Sequence, residues 1–333
     1  MKSTYQHNII ISLFLTLLMF ISSFFIDIDV EKLYSNINYL NIFSKIGTYL
    51  FSHLIFSNFL AVCFLILISI SLYYVNESYL QVARNSWTLS FIFIFLVSMA
   101  PSCIYFSKYH IAGLLIIWAL YYNVRFIMEE KYKRSSIFMN ILILSLISLI
   151  LPKFIWLEML VLIFNLMFGK VHFLKYFLIS LSAILLPFLY VISINFLSTG
   201  GFEIQAFITG FTSRIFFDPF SIHMGSMTSN ILTSLIIFSF IYILISMVNR
   251  YNKFTVNKKI YLGLLTFYAG IVFSLMVFND FSGKQSLSII FYTLSSTLIF
   301  ECFYNTKYKK FISILIGVGI TMIFLDRISI FLI

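Results

Sequence analysis

Charge is what this sequence has least of. Asp, Glu, Lys and Arg make up 10% of its 333 residues, while 61% are hydrophobic and 20% aromatic, with 41 Phe. A water-soluble globular chain carries about 25% charged residues. With so few, the apolar residues build membrane spans rather than the core of a water-facing protein. Cysteine is also scarce. Cys63, Cys103 and Cys302 lie in or beside hydrophobic runs with no CxxC or Cys/His ligand spacing, so neither a disulfide framework nor a metal site is implied. There is no P-loop and no HExxH. No pair of Gly/Pro-broken spans in matching halves marks an inverted-repeat transporter, and no span carries the series of buried charges of a proton relay. Internal repeats, low-complexity linkers and a soluble domain are absent as well.

What is present is a succession of long apolar runs. Runs such as residues 137–151 and 174–196 are continuous, without the alternation of apolar and polar residues that a transmembrane β-strand shows. The expected fold is therefore all-α: one polytopic helical membrane domain over residues 1–333. Judged against the roughly 20 residues needed to cross a bilayer, about eleven segments qualify. They lie near 9–26, 58–75, 87–106, 109–127, 137–151, 154–168, 173–197, 231–248, 260–279, 285–303 and 311–330. The fifth and sixth are short and share Pro152. They form either a tight outward-facing hairpin or one kinked, re-entrant element. The first run follows Lys2 like a signal peptide, but no small-residue cleavage site follows, so it reads as an uncleaved first span.

The topology is organised around residues 125–136, where Arg125, Lys131, Lys133 and Arg134 stand beside Glu129 and Glu130. Basic clusters next to spans stay in the cytoplasm. Placing this one there, with the N-terminus inside, puts 15 of the 22 Lys and Arg residues in inner loops and 7 outside. The net charge of +10 is thereby read as a topology signal, not as a nucleic-acid surface. Two outer loops are long. In residues 27–57, Leu33, Ile37, Leu40, Phe43, Ile46, Leu50 and Leu54 recur at three- and four-residue steps, the pattern of an amphipathic helix lying on the membrane surface. Residues 198–230 mix aromatics with Gly200, Gly201, Gly210, Pro219 and Gly225, and read as an interfacial or re-entrant lid.

Candidate chemistry sits toward the outer side. Asp27 and Asp29, with Glu31, follow the first span. They are suited to acting as a general base or to holding a divalent cation beside a lipid-linked phosphate; the plainer reading is interfacial charges that end the span. Arg214 and His223, with Asp218 near, suit an anionic headgroup or pyrophosphate, since the guanidinium is planar and permanently charged, or belong to an ordinary wet loop. His110, after Lys108 and Tyr109, either joins them or is an interfacial histidine. Glu158 lies inside its segment beside Trp156. An ionisable group within a span is a functional candidate by default, although in so short a segment it can reach the outer interface. Asp326 and Arg327 look like an interfacial anchor. No cofactor is indicated by any motif.

Between residues 58 and 196 the order of features resembles a family of multi-pass inner-membrane proteins of Bacteroidota-type bacteria, a domain of unknown function. The features are Val75-Asn76-Glu77 at a span end, Met99-Ala100-Pro101, Tyr109-His110-Ile111-Ala112-Gly113, the basic loop, Leu151-Pro152 and Leu185-Leu186-Pro187-Phe188-Leu189-Tyr190. Residues 288–310, a span running into a Tyr/Lys-rich turn, fit as well. The resemblance implies the topology above and assigns no catalytic residue. Asp27, Asp29 and the amphipathic stretch to Leu54 are also similar in arrangement to multi-pass glycosyltransferases that use lipid-linked sugars. Those begin with one span and an outer loop that is acidic at its start; their second acidic motif and large soluble domain have no counterpart here. That similarity implies a role in envelope glycoconjugate assembly on a polyprenyl-phosphate-linked sugar, in the bacterial inner membrane. A permease or lipid transporter, or a non-catalytic subunit of an envelope or secretion complex, are the other expectations. The bilayer is the one partner that composition itself requires.

Overall fold

Helices form where the apolar runs lie, because within a bilayer a helix satisfies its own backbone hydrogen bonds. The computed structural model describes residues 53–80, 87–98, 103, 106–168, 173–199, 241, 245, 248, 254–277 and 281–305, and among these there is no strand. The helices are α1 (Leu54–Leu80), α2 (Trp87–Ser98), α3 (Lys108–Met128), α4 (Lys133–Ile150), α5 (Ile155–Phe168), α6 (Phe173–Thr199), α7 (Val256–Val277) and α8 (Phe281–Asn305). Five stretches among the described residues are long and apolar enough to cross a membrane: Ile55–Tyr79, Lys108–Met128, Lys133–Ile150, Phe173–Ile194 and Val256–Met276. Over its described residues the chain is all-helical, and its apolar helices are those of a multi-pass membrane protein.

Three expectations change in detail. The run 87–106 is not one helix: Cys103 sits in a 3₁₀ turn and Phe106 and Ser107 are non-helical. Pro101 lies between; its ring removes a backbone N–H and disfavours a helical residue before it. The run 58–75 extends at both ends, so that Leu54 to Ser57 belong to α1 rather than to the preceding loop, and Asn76 and Glu77 lie within the helix. At Pro152 the chain makes two helices: α4 ends at Ile150, Pro152–Phe154 makes one 3₁₀ turn, and α5, 14 residues long, packs back against α4. The expected surface helix before residue 53, the outer lid and the spans at 9–26 and 311–330 lie outside the described residues. So does the run 231–248, apart from three helical positions.

The helices alternate in direction from α1 to α6 and again from α7 to α8, and cross-contacts fix which ends meet. α3 turns into α4 through the 3₁₀ turn Glu130–Tyr132, with Arg125 Nε bonded to Glu129 at 2.9 Å and its guanidinium 4.1 Å over the Tyr132 ring. At this Arg125 end, the Tyr79 hydroxyl at the end of α1 donates to the Tyr121 carbonyl at 3.4 Å. Phe126 meets Tyr176, near the start of α6, edge to face at 5.6 Å. Lys258, at the start of α7, pairs with Glu301 near the end of α8. At the opposite, Pro152 end lie the starts of α1, α3 and α8. There the Phe106 N–H donates to Ser57 Oγ at 3.2 Å, and Cys103 Sγ lies 3.8 Å from Ser288 Oγ. α6 runs parallel to α4, since Tyr176 meets Phe126 at the Arg125 end and Ser145 Oγ bonds to the Ile184 carbonyl at 3.2 Å further along, so it ends at the Pro152 end too. That bond also lies one residue from the 183 carbonyl, whose N–H partner Pro187 removes.

The core is built from α3, α4, α7 and α8, with Ile116, Leu120, Ile141, Tyr261, Tyr268, Ile289 and Phe291 buried. α1, α3 and α8 meet at Gly113, where a Cβ would stand in van der Waals contact, 3.4 Å, with the side chains of Ile289 and Ile68.

Candidate functional site

Apolar side chains fill most of this core, so its polar groups stand out, and they fall into levels between the two ends. Nearest the Pro152 end is Glu158, in the first turn of α5 and only 1% exposed. Antiparallel packing of α5 on α4 brings it to Ser148, whose hydroxyl lies 2.6 Å from Oε2 and 3.0 Å from the Leu144 carbonyl. The second carboxylate oxygen, Oε1, has no hydrogen-bond partner. No Lys or Arg among the described residues forms an ion pair with it. A buried carboxyl held by one hydroxyl costs stability rather than supplying it.

The next level lies toward the Arg125 end. Asn165 is two turns beyond Glu158 on the same face of α5, and Asn140 is two turns before Ser148 on α4, so both shift by about 11 Å at 1.5 Å per residue. There Asn123 Nδ2 donates to the Tyr268 hydroxyl at 3.1 Å, and that hydroxyl donates to Asn140 Oδ1 at 3.3 Å, joining α3, α7 and α4. Phe164, the neighbour of Asn165, stacks on Phe267, the neighbour of Tyr268, at 5.7 Å. All three asparagines are fully buried. Asn123 Oδ1, Asn140 Nδ2 and both polar atoms of Asn165 are without a partner.

Two further levels approach the Arg125 end. Asn76 Nδ2 bonds to the Leu72 carbonyl at 2.6 Å and Thr297 Oγ1 at 3.3 Å, while the Tyr261 hydroxyl donates to Asn76 Oδ1 at 3.1 Å. One turn before Tyr261, Lys258 pairs with Glu301, the two being 15% and 2% exposed. This level is closed by opposite charges; the Glu158 level is not.

Of the residues singled out from the sequence, two lie among those described, both at the Pro152 end. Glu158 is buried inside the protein and does not reach the interface, whereas Trp156 beside it is 43% exposed on the other face of α5. His110 is not an interfacial histidine: it is fully buried. Its Nδ1 accepts from the Ser107 N–H at 3.2 Å, so Nε2 carries the ring proton and donates to the Cys103 carbonyl at 3.1 Å. Both nitrogens therefore hold the entry into α3 in place, as a Glu or Gln does in a capping box. Asp27, Asp29, Arg214, Asp218 and His223 lie outside the described residues.

Sequence reasoning passed over Asn123, Asn140, Asn165, Tyr268 and the Lys258–Glu301 pair. A signal existed: Ser136, Asn140 and Ser148 lie at multiples of four in a mostly apolar segment, which puts them along one i, i+4 row of the helix. Chemically, the arrangement offers hydrogen-bond donors and acceptors at bilayer depth and one unpaired carboxyl. Among the described residues no group of three or more His, Cys, Asp or Glu is placed to hold a metal ion. No protein-family model, curated protein or solved structure matches the chain.

Proposed function

We propose that this protein acts in bacterial envelope glycoconjugate assembly, in the cytoplasmic membrane, handling a polyprenyl-phosphate-linked sugar at the Pro152 end of its bundle. One convergence carries the reading. The unpaired buried carboxyl of Glu158 is at this end, and α1 begins and α6 ends here as well. The start of α1 and the end of α6 thus share an end with Glu158, and the reading takes Asp27, Asp29, Arg214, Asp218 and His223 to act at that end. In this reading Asp27 or Asp29 is the base or metal ligand, and Arg214 with His223 grips phosphate.

A lipid-linked sugar is amphiphilic, and α5 is built for such a molecule. Trp156, Met159, Leu160, Ile163 and Met167 are exposed along one face, while Glu158 and Asn165 are buried on the other. The polyprenyl tail stays in lipid against the first face, and its head group is drawn toward the second. Sidedness follows from the positive-inside bias: Arg125, Lys133, Arg134, Lys258 and Lys259 all stand at the Arg125 end, which is placed in the cytoplasm. The Pro152 end then faces outward. The test is the double substitution Asp27→Asn with Asp29→Asn, read as surface glycan and lipid-linked saccharide in cells. Insertion is expected to persist while glycan is lost; normal glycan output from an inserted double mutant sinks the catalytic assignment.

A permease reading has one observation in its favour, the succession of buried polar levels from Glu158 to Lys258–Glu301. It requires Glu158→Gln to change uptake or lipid flipping while leaving glycan output untouched.

A further inference from the structure

The Asn123–Tyr268–Asn140 bridge has a property that does not depend on how its amides are oriented. As drawn, Asn123 donates to the Tyr268 hydroxyl, which donates to Asn140, and this leaves the Asn123 carbonyl and the Asn140 amino group unpaired. Turning both amides over reverses the direction of the two bonds. It leaves the Asn140 carbonyl and the Asn123 amino group unpaired instead. Either way one acceptor and one donor remain, because a hydroxyl between two amides uses one group of each kind. Asn165 adds one more of each, and Glu158 Oε1 adds an acceptor.

Such a set discriminates between ligand chemistries. A bare cation uses the oxygens and leaves amide hydrogens pointing at it; an anion fails against the carbonyls and the carboxyl. Groups that both donate and accept, hydroxyls or water molecules, match such a mixed set. The unpaired groups are buried to 1% exposure or less and lie on facing elements, with Phe164 and Phe267 stacked beside them. In the apolar interior each unpaired group is costly, and a hydroxyl or a water molecule held among them removes that cost.

We propose that Asn123, Asn140, Asn165 and Tyr268, entered past Glu158, form a hydroxyl-recognition centre that takes the hydroxyls of a carbohydrate head group, with water in its place when no carbohydrate is bound. The carbohydrate part rests on the lipid-linked-sugar reading; the donor–acceptor balance of the centre does not. Asn165 is its most informative member, because replacing it breaks no hydrogen bond present in the structure.

The test uses the full chain in phosphatidylethanolamine–phosphatidylglycerol nanodiscs, followed by thermal unfolding. The probes are octyl β-glucoside, below its micellar concentration, and octylphosphocholine, which has the same tail and no head-group hydroxyl. The wild type is expected to unfold at higher temperature in the glucoside than in the phosphocholine. Asn165→Leu and Tyr268→Phe lose that difference, and Tyr261→Phe, one level away, keeps it. If Tyr268→Phe does not fold, Asn165→Leu decides alone. Equal midpoints for the wild type in both probes mean that the centre holds water only, and the carbohydrate assignment falls. A difference that survives Asn165→Leu places the ligand elsewhere and overturns the centre. A glucoside response lost in Asn165→Leu, combined with normal cellular glycan in the Asp27→Asn, Asp29→Asn double mutant, keeps the centre and removes the assembly reading.

Discussion

Replacing Glu158 by Met should make the protein more stable and less active. The side chain is 1% exposed, one oxygen meets Ser148 at 2.6 Å, and the other meets nothing. Met keeps the length and removes both oxygens. An unsatisfied buried polar atom costs about 1–3 kcal/mol, and a hydrogen bond to a charged group returns about 1.5–3 kcal/mol. Ser148 does not become an orphan when the carboxyl goes, because its hydroxyl already reaches the Leu144 carbonyl at 3.0 Å. The transfer of an apolar side chain into the same volume adds its own gain, on the order of 1 kcal/mol. The balance favours Glu158→Met by about 1 kcal/mol. Ser148→Ala acts with the opposite sign. It strips the carboxyl of its one partner and should destabilise by about 1–3 kcal/mol. Both variants are read by reversible unfolding in detergent, followed by tryptophan fluorescence, with surface glycan scored in parallel. A Glu158→Met protein destabilised by more than about 2 kcal/mol would refute the reasoning, since it would make the carboxyl a structural partner.

At the other end the same logic gives a different outcome. Lys258→Ala leaves Glu301 as a buried charge without its cation and should cost about 3–5 kcal/mol, whereas Lys258→Met combined with Glu301→Leu should recover most of it; a double-mutant cycle on unfolding midpoints measures this. Sidedness is checked with single cysteines in a background lacking Cys63, Cys103 and Cys302. Lys153→Cys should react with an impermeant maleimide in intact spheroplasts, and Arg134→Cys only after permeabilisation. The reverse pattern would invert the bundle.

The spans were legible because burial in lipid demands length. The run 109–127 became α3 over Lys108–Met128, and 173–197 became α6 over Phe173–Thr199, each within two residues. Interior breaks were harder, since the proline that ends a helix need not end the apolar run: 87–106 reads as one segment, yet Phe106 is outside any helix. Which face of each helix turns inward was not legible at all. In a water-soluble helix the apolar stripe marks the core, but here lipid-facing Leu178 and Leu185 on α6 and buried Ile141 and Leu144 on α4 are equally apolar. The only inward markers left are polar residues. Glu158 was recognised because its charge is conspicuous; Asn123, Asn140 and Asn165 carry no charge and were passed over. The pairing of Asn76 with Thr297, or of Cys103 with Ser288, spans about two hundred residues of chain and has no local signature. The two loops that hold Asp27, Asp29, Arg214, Asp218 and His223 follow from parity of crossings alone and lie outside the described residues.

The most direct test of the central claim is the lipid-linked saccharide pool in cells whose only copy of the protein is Glu158→Gln. The substitution preserves volume and an acceptor for Ser148, so folding is retained while the unpaired carboxyl oxygen is lost. The account predicts that polyprenyl-phosphate-linked saccharide accumulates and surface glycan falls, with the variant present in the membrane at wild-type amount. A normal pool and normal surface glycan, at that same protein level, would contradict it.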